Sequence, residues 1–255
     1  MISGHISNYC HFIQKIFIQF PSLGNCWILA PVLAVCVISM NDLSDSVKKG
    51  TTTIGLVCQD GVVMASERRA TMGFLIAHKT TQKIFRIDQN LGLAVAGVVG
   101  DAQTLARYIT AEVELFKLKR GLPMSVRSVA TMTSNILSGS KYYPYWVGLI
   151  LAGTDPTGSH VYAIDMVGGA IPDEYVATGS GSPFVYGILE DYYRKDVTIK
   201  DGIDLSIRSL SAAMKRDAAS GDGMSIATIT TKDGFNLLSE EEIDKRRAKL
   251  KLDQK

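Results

Sequence analysis

From residue 51 onward the chain is divided by the period of its hydrophobic positions. Thr51 to Cys58 (TTTIGLVC) is rich in β-branched residues and predicts a strand. Gln59-Asp60-Gly61 supplies turn chemistry, and Val62 to Ser66 (VVMAS) continues as a second strand. Asp-Gly between two such runs is a strong hairpin signal. Leu91 to Gly100 (LGLAVAGVVG) reads as a further apolar strand. At Asp101 the period changes, with Leu105, Ile109, Val113 and Phe116 at helical spacing, Asp101 near the start and Gly121 just past the end. After Pro123, Ser125 can cap a second helix carrying Val126, Val129, Ile136 and Leu137 on one face. A Gly-Leu-Pro turn is too short for a crossover, so the two helices should pack antiparallel as one layer.

The second half repeats this order. Trp146 to Thr154 and His160 to Met166 predict strands joined by the turn residues Asp155-Pro156-Thr157-Gly158, and Tyr175 to Thr178 a further short strand. Pro183 to Tyr193 and Gly202 to Ser220 predict helices, the latter with Ile203, Ile207, Leu210 and Met214 inward and Gly221 as its stop. Ile226 to Thr231, the turn Lys232-Asp233-Gly234 and Phe235 to Leu238 form a closing hairpin, and Ser239 with Glu242 is a capping box for a charged last helix. Hairpin-linked strands alternating with paired helices argue for an α+β architecture, a four-layer αββα sandwich with two antiparallel sheets between helix pairs.

Residues 1–50 do not share this pattern. Cys26 to Met40 (CWILAPVLAVCVISM) is an uncharged run of about fifteen residues, short for a membrane span but long enough for a signal-peptide core. Export or anchoring is one reading, set against the single basic residue before it, Lys15, and the interruption at Pro31. The favoured reading makes 1–39 an upstream extension and Met40 the initiator, because composition shifts sharply at MNDLSDSVKKG. Residues 40–50 then form a polar leader and 51–255 the working domain.

Composition narrows the chemistry. Lys plus Arg number 27 against 25 Asp plus Glu, a formal charge of +2, so charge argues for neither nucleic acid nor an anionic membrane as a partner. Only Cys58 lies beyond residue 36, which fits a reducing cytoplasm. His78 and His160 are the only histidines after residue 11, a poor start for histidine catalysis. No zinc or calcium ligand spacing stands out and no cofactor is expected. Thr178 to Pro183 (TGSGSP) lacks the Lys-Ser/Thr of a phosphate-binding loop.

A hydroxyl nucleophile needs a base. Where histidine is scarce, a threonine can use its own α-amine, with an ordinary pKa of about 7.7 to 8.0, provided that it is the first residue of the mature chain. Gly50-Thr51 is interpretable in this way. The Thr51 hydroxyl would attack the Gly50 carbonyl, shift the acyl group from nitrogen to oxygen and leave an ester that water hydrolyses. The competing reading is that TTT merely opens a strand.

The blocks TTTIGLVCQDGVVMASERRATMG, HKTTQKIFRID, AVAGVVGDAQTLARY, ATGSGSPFVYGILE and KRDAASGDG favour the first reading, because together they resemble the catalytic β-subunits of archaeal proteasomes, within the N-terminal nucleophile (Ntn) hydrolases. The resemblance runs from about Thr51 to about Leu250. It implies that Thr51 is the nucleophile, Lys83 its lysine partner and Glu67 the carboxylate holding that lysine, a position where many relatives carry aspartate. It places Asp217, Ser180 and Ser220 around the new N-terminus and gives Gly97 the oxyanion-stabilising N–H. It lines the specificity pocket with Ala70, Thr81, Phe85, Val95, Val99 and Gln103, which favours cleavage after hydrophobic residues. The implied partners are other β subunits in a seven-membered ring, α-subunit rings, ATP-dependent unfoldases and unfolded protein substrates. A processed, non-catalytic ring member is the alternative, and the intact Thr51, Lys83 and Glu67 argue against it.

Overall fold

The structure is a computed structural model and describes residues 50–250 and Leu252. The upstream extension, its apolar run and all of the leader but Gly50 lie outside the described residues. The anticipated first hairpin forms, with β1 (Thr52–Cys58) and β2 (Gly61–Glu67) joined at Gln59-Asp60. A small hairpin, β3 (Ala70–Met72) with β4 (Leu75–His78), follows. Then come β5 (Ile84–Asp88), β6 (Leu91–Gly97), α1 (Val99–Arg120) and α2 (Val126–Gly139). The second half comprises β7 (Val147–Asp155), β8 (Gly158–Ile164), β9 (Ala170–Asp173), β10 (Tyr175–Gly179), α3 (Ser182–Tyr192), α4 (Ile199–Arg216), β11 (Met224–Thr230), β12 (Gly234–Leu237) and α5 (Glu240–Lys249).

The strands make two five-stranded sheets, ordered β10-β1-β2-β11-β12 and β5-β6-β7-β8-β9, and every pairing is antiparallel. Because side chains alternate along a strand, each central strand feeds two interfaces. On β2, Val63 and Ala65 pack with Ile207 and Leu210 of α4, while Val62 and Met64 meet the other sheet at Ile150 and Ala152. On β7 that alternation is mirrored, with Leu149 and Leu151 packing under Leu105 and Ile109 of α1 and Val129 of α2. Three apolar clusters therefore fill the three gaps of an αββα sandwich, the α+β architecture read from the sequence. Each fully buried Leu or Ile contributes about 1.5–3 kcal/mol relative to an exposed one.

Several boundaries differ from the sequence reading. The strand expected over 91–100 stops at Gly97, because α1 already begins at Val99. The helix expected over 202–220 starts at Ile199, where the Thr198 hydroxyl accepts the Asp201 N–H. It stops at Asp217, not Gly221. Asp217 has φ −91° and ψ 114°, so the chain leaves the helix there and runs back toward the end of β2. The anticipated caps hold elsewhere, with Ser125 accepting from the Ser128 N–H and Ser239 from the Glu242 N–H.

Candidate active site

Thr51 precedes β1 and is buried, still joined to Gly50, so its nitrogen is a peptide amide. Its hydroxyl oxygen accepts from Lys83 Nζ at 2.5 Å. Lys83 precedes β5, and its other two protons have partners as well: the Glu67 carboxylate and, at 2.6 Å, the Arg69 carbonyl. Glu67 ends β2 with its side chain wholly buried. One oxygen accepts from Lys83 and the Thr52 N–H, the other from the N–H groups of Arg69 at 2.6 Å and Gly221 at 3.2 Å. A carboxylate has about four acceptor positions and an ammonium three donors. All are used here, which is the condition under which a buried ion pair is tolerated.

Burial pushes the Lys83 ammonium below its ordinary value, and the nearby positive charge of Arg69 adds to this. Glu67, by charge and hydrogen bond, and the charge of Asp217 oppose it. The net direction is downward, toward a lysine that gives up its proton more readily than one in water.

On the other side of Thr51, its N–H donates to Ser180 Oγ at 3.1 Å. Ser180 lies between β10 and α3, and its hydroxyl donates to Asp217 Oδ2 at 2.6 Å. Ser220 Oγ donates to the same oxygen at 2.6 Å. With that proton committed, the 2.7 Å contact between Ser220 Oγ and Thr52 Oγ1 runs from Thr52 to Ser220. By sequence alone Thr52 reads as an ordinary strand residue. It is the outer donor of a hydroxyl chain ending on Asp217, and the run of three threonines was the available signal.

A pocket opens beside Thr51 and is lined by Ala70, Thr81, Phe85, Val95 and Val99, five of the six positions expected there. Gln103 is not among them. It sits on the outward side of α1, in a separate groove with Arg86 and Arg107. Thr71 and Ala102 line the pocket without having been anticipated. The Thr71 hydroxyl accepts from the Gly50 N–H at 3.3 Å, holding the residue ahead of Thr51. Gly97 also borders the pocket, at the end of β6 with φ +120°, a conformation that L side chains rarely adopt. A Cβ there would collide with the Trp146 carbonyl, so the close approach of β6 to the start of β7 needs glycine.

Among the described residues no helix is long and apolar enough to cross a membrane, and no group of three His, Cys, Asp or Glu side chains is placed to hold a metal ion. The buried thiol of Cys58, pushed up to about 12 by burial and by Asp60 and Asp201, packs in the apolar layer under α4.

Comparison with known proteins follows the same lines. The proteasome subunit family matches residues 47–229. A proteasome subunit beta of Methanothermobacter thermautotrophicus is 48% identical over 207 residues, covering 81% of this chain and 98% of the relative. That of Archaeoglobus profundus is 49% identical over 207 residues, 81% of this chain and 96% of its own. That of Thermoplasma acidophilum is 48% identical over 210 residues, 82% and 99% respectively. A family match spanning most of the described domain, and near-complete relatives at such identity, mean that this chain belongs to the proteasome subunit family.

Proposed function

We propose that the chain is a threonine-type endopeptidase subunit of a proteasome core, made as a precursor and activated by its own cleavage between Gly50 and Thr51. The observation that carries this reading is the Thr51 hydroxyl held 2.5 Å from Lys83 Nζ, with that lysine buried and paired to Glu67.

In the precursor the Thr51 nitrogen is an amide and cannot accept a proton. Lys83, its pKa drawn down by burial, first gives up a proton to solvent, and the neutral amine then takes the hydroxyl proton as Oγ1 bonds to the Gly50 carbonyl carbon. The C–N bond to Thr51 breaks, nitrogen gains the proton, and the resulting ester is hydrolysed by water, releasing residues up to Gly50. A Cβ on Gly50 would collide with Ala219 Cβ, so the precursor packs only around a glycine here.

Once freed, the Thr51 α-amine is the base. It accepts the hydroxyl proton while Oγ1 attacks a substrate carbonyl, then returns it to the departing amine, and water cleaves the ester. The Lys83 ammonium favours negative charge on Oγ1, and the Gly97 N–H is assigned to the developing oxyanion. Ser180 and Asp217 hold the nitrogen in line. The apolar lining from Ala70, Phe85, Val95 and Val99 favours cleavage after hydrophobic residues.

The same reading makes residues 40–50 a removable leader and 1–39 an upstream extension. It seats the mature subunit in a seven-membered β-ring stacked with α-rings in the cytoplasm, where ATP-dependent unfoldases supply unfolded chains. Intact mass of the purified chain tests it. The expected mature mass begins at Thr51, while Thr51→Ala keeps the leader and hydrolyses no peptide. A mature chain beginning at Met1, or normal processing in Thr51→Ala, overturns self-cleavage.

A further inference from the structure

The loop after α4, residues 217–223 (DAASGDG), delivers three groups to the site: the Asp217 carboxylate, the Ser220 hydroxyl and the Gly221 N–H. No helix or strand spans most of this segment, so something must fix its position against β2. Arg69 is placed to do so. Its Nε donates to Asp222 Oδ2 at 2.7 Å, and its Nη1 to the Ala218 carbonyl at 2.7 Å. The guanidinium thus grips the loop on both sides of Ser220 and Gly221. It lies so close over Gly221 that a Cβ there would run into it. Asp222 adopts φ +61°, the left-handed conformation that asparagine and aspartate tolerate best, and this aims its carboxylate back at Arg69.

The main chain of Arg69 faces the opposite half of the site. Its N–H donates to Glu67 Oε2, its carbonyl accepts from Lys83 Nζ, and the N–H groups of Arg68 and Arg69 both donate to the Gly221 carbonyl. One residue therefore touches Glu67 and Lys83 through its backbone and the Asp217 to Asp222 loop through its side chain.

We propose that Arg69 and Asp222 form a positioning brace that holds the 217–223 loop in register with Lys83 and Glu67. Neither side chain contacts the reacting atoms. Both act through Ser220, Gly221 and Asp217, and the pair is half-buried, with side-chain exposures of 20% and 19%. Planar geometry matters here, since the fork of an arginine spans two acceptors that a lysine ammonium at the end of a single stem does not. The inference rests on the peptidase reading above.

The test measures kcat and KM for a peptide with a hydrophobic residue at the scissile bond. The full chain, assembled with its partner subunits, is compared as wild type, Arg69→Ala, Arg69→Lys, Asp222→Asn, the Arg69→Ala/Asp222→Asn double variant and Thr51→Ala. Asp222→Asn keeps side-chain volume and tolerates the left-handed backbone, so it carries the test if Arg69→Ala does not assemble. For a brace, Arg69→Ala and Asp222→Asn each lower kcat about tenfold or more with KM within about twofold, at unchanged thermal midpoint for Asp222→Asn. The double variant is no worse than Arg69→Ala, because both remove one coupled interaction. Arg69→Lys recovers less than half of the lost rate.

Wild-type kcat in Asp222→Asn, or full additivity in the double variant, overturns the brace while leaving the peptidase reading intact. A kcat loss accompanied by an equal fall in folded fraction overturns it as well, assigning the pair to stability. Hydrolysis by Thr51→Ala overturns the peptidase reading itself, and is distinguishable because the brace variants do not enter that result.

Discussion

The two five-stranded sheets have equal strand number and the same antiparallel pairing, but the chain builds them differently. The sheet β5-β6-β7-β8-β9 is a meander in which each strand pairs with its sequence neighbour. The sheet β10-β1-β2-β11-β12 draws on both ends of the domain, with Thr52 opposite Gly179 and Glu67 opposite Met224. The partners of Thr51 and Thr52 on the serine side follow the second pattern, while Lys83 comes from just before β5 in the meander. Thr51 meets Ser180 across 129 positions, and Thr52 meets Ser220 across 168. Non-local pairing is entropically expensive and forms late. The self-cleaving precursor proposed above would gain from this. Glu67 and Asp217 reach Thr51 only after β1 has docked between β10 and β2, and Lys83 only once the other sheet has packed on that one, so the proposed cleavage would follow folding.

Substitutions separate the two sheets in order of effect. Thr51→Ala removes the proposed nucleophile and is expected to lower peptide hydrolysis by at least about a thousandfold, read as kcat on matched amounts of folded protein. Glu67→Ala is expected to abolish processing and also to destabilise by about 3–5 kcal/mol, since it leaves the Lys83 ammonium buried without its counter-charge. Chemical denaturation of the unprocessed chain checks this, and a loss below about 1 kcal/mol contradicts the tightly paired site. In the meander, Leu151→Ala opens space under α1 and α2 and is expected to cost about 2–5 kcal/mol. The fraction still folded should keep wild-type kcat. A matching fall in kcat would show that the meander is coupled to the site more strongly than its packing implies.

The smallest effect concerns Asp155, at the end of β7. Burial raises its carboxyl, but hydrogen bonds from the Thr157 hydroxyl and N–H and from the Val126 N–H at the start of α2 outweigh burial and hold it below 3.8. The charged form is therefore favoured by folding. Its contribution is present above the unfolded value and lost as pH falls through the folded one. Asp155→Ala is expected to cost about 1 kcal/mol at pH 7. The difference from wild type should shrink in the acid range, measured by melting across pH, and a constant difference would contradict the assignment.

Legibility divides instead between local signals and long-range ones. The helix through Leu105, Ile109 and Val113 and the Asp60-Gly61 turn were readable because their signals are local. The hairpin β3–β4, the strand β5 and the edge strand β9 were not. β4 is exposed along its length, and β9 contains Pro172, tolerated there because an edge strand has unpaired N–H groups to spare. The stop of α4 was misplaced because Gly221 is a good helix terminator, whereas the actual stop, Asp217, is turned outward to meet two serines 37 and 3 positions away. Resemblance to known blocks named Thr51, Lys83, Glu67, Ser180, Asp217 and Ser220 together, but not Thr52 as a donor, nor Arg69 with its grip on the loop.

Periodicity and turn chemistry were enough to specify the layers, because alternation and helical spacing report which face of an element is buried. The partner of each polar group was decided by folding. Hydrogen bonds act over about 3 Å, and the residues that satisfy Glu67 and Lys83 come within that reach only when two distant hairpins and a loop after α4 are packed against one another.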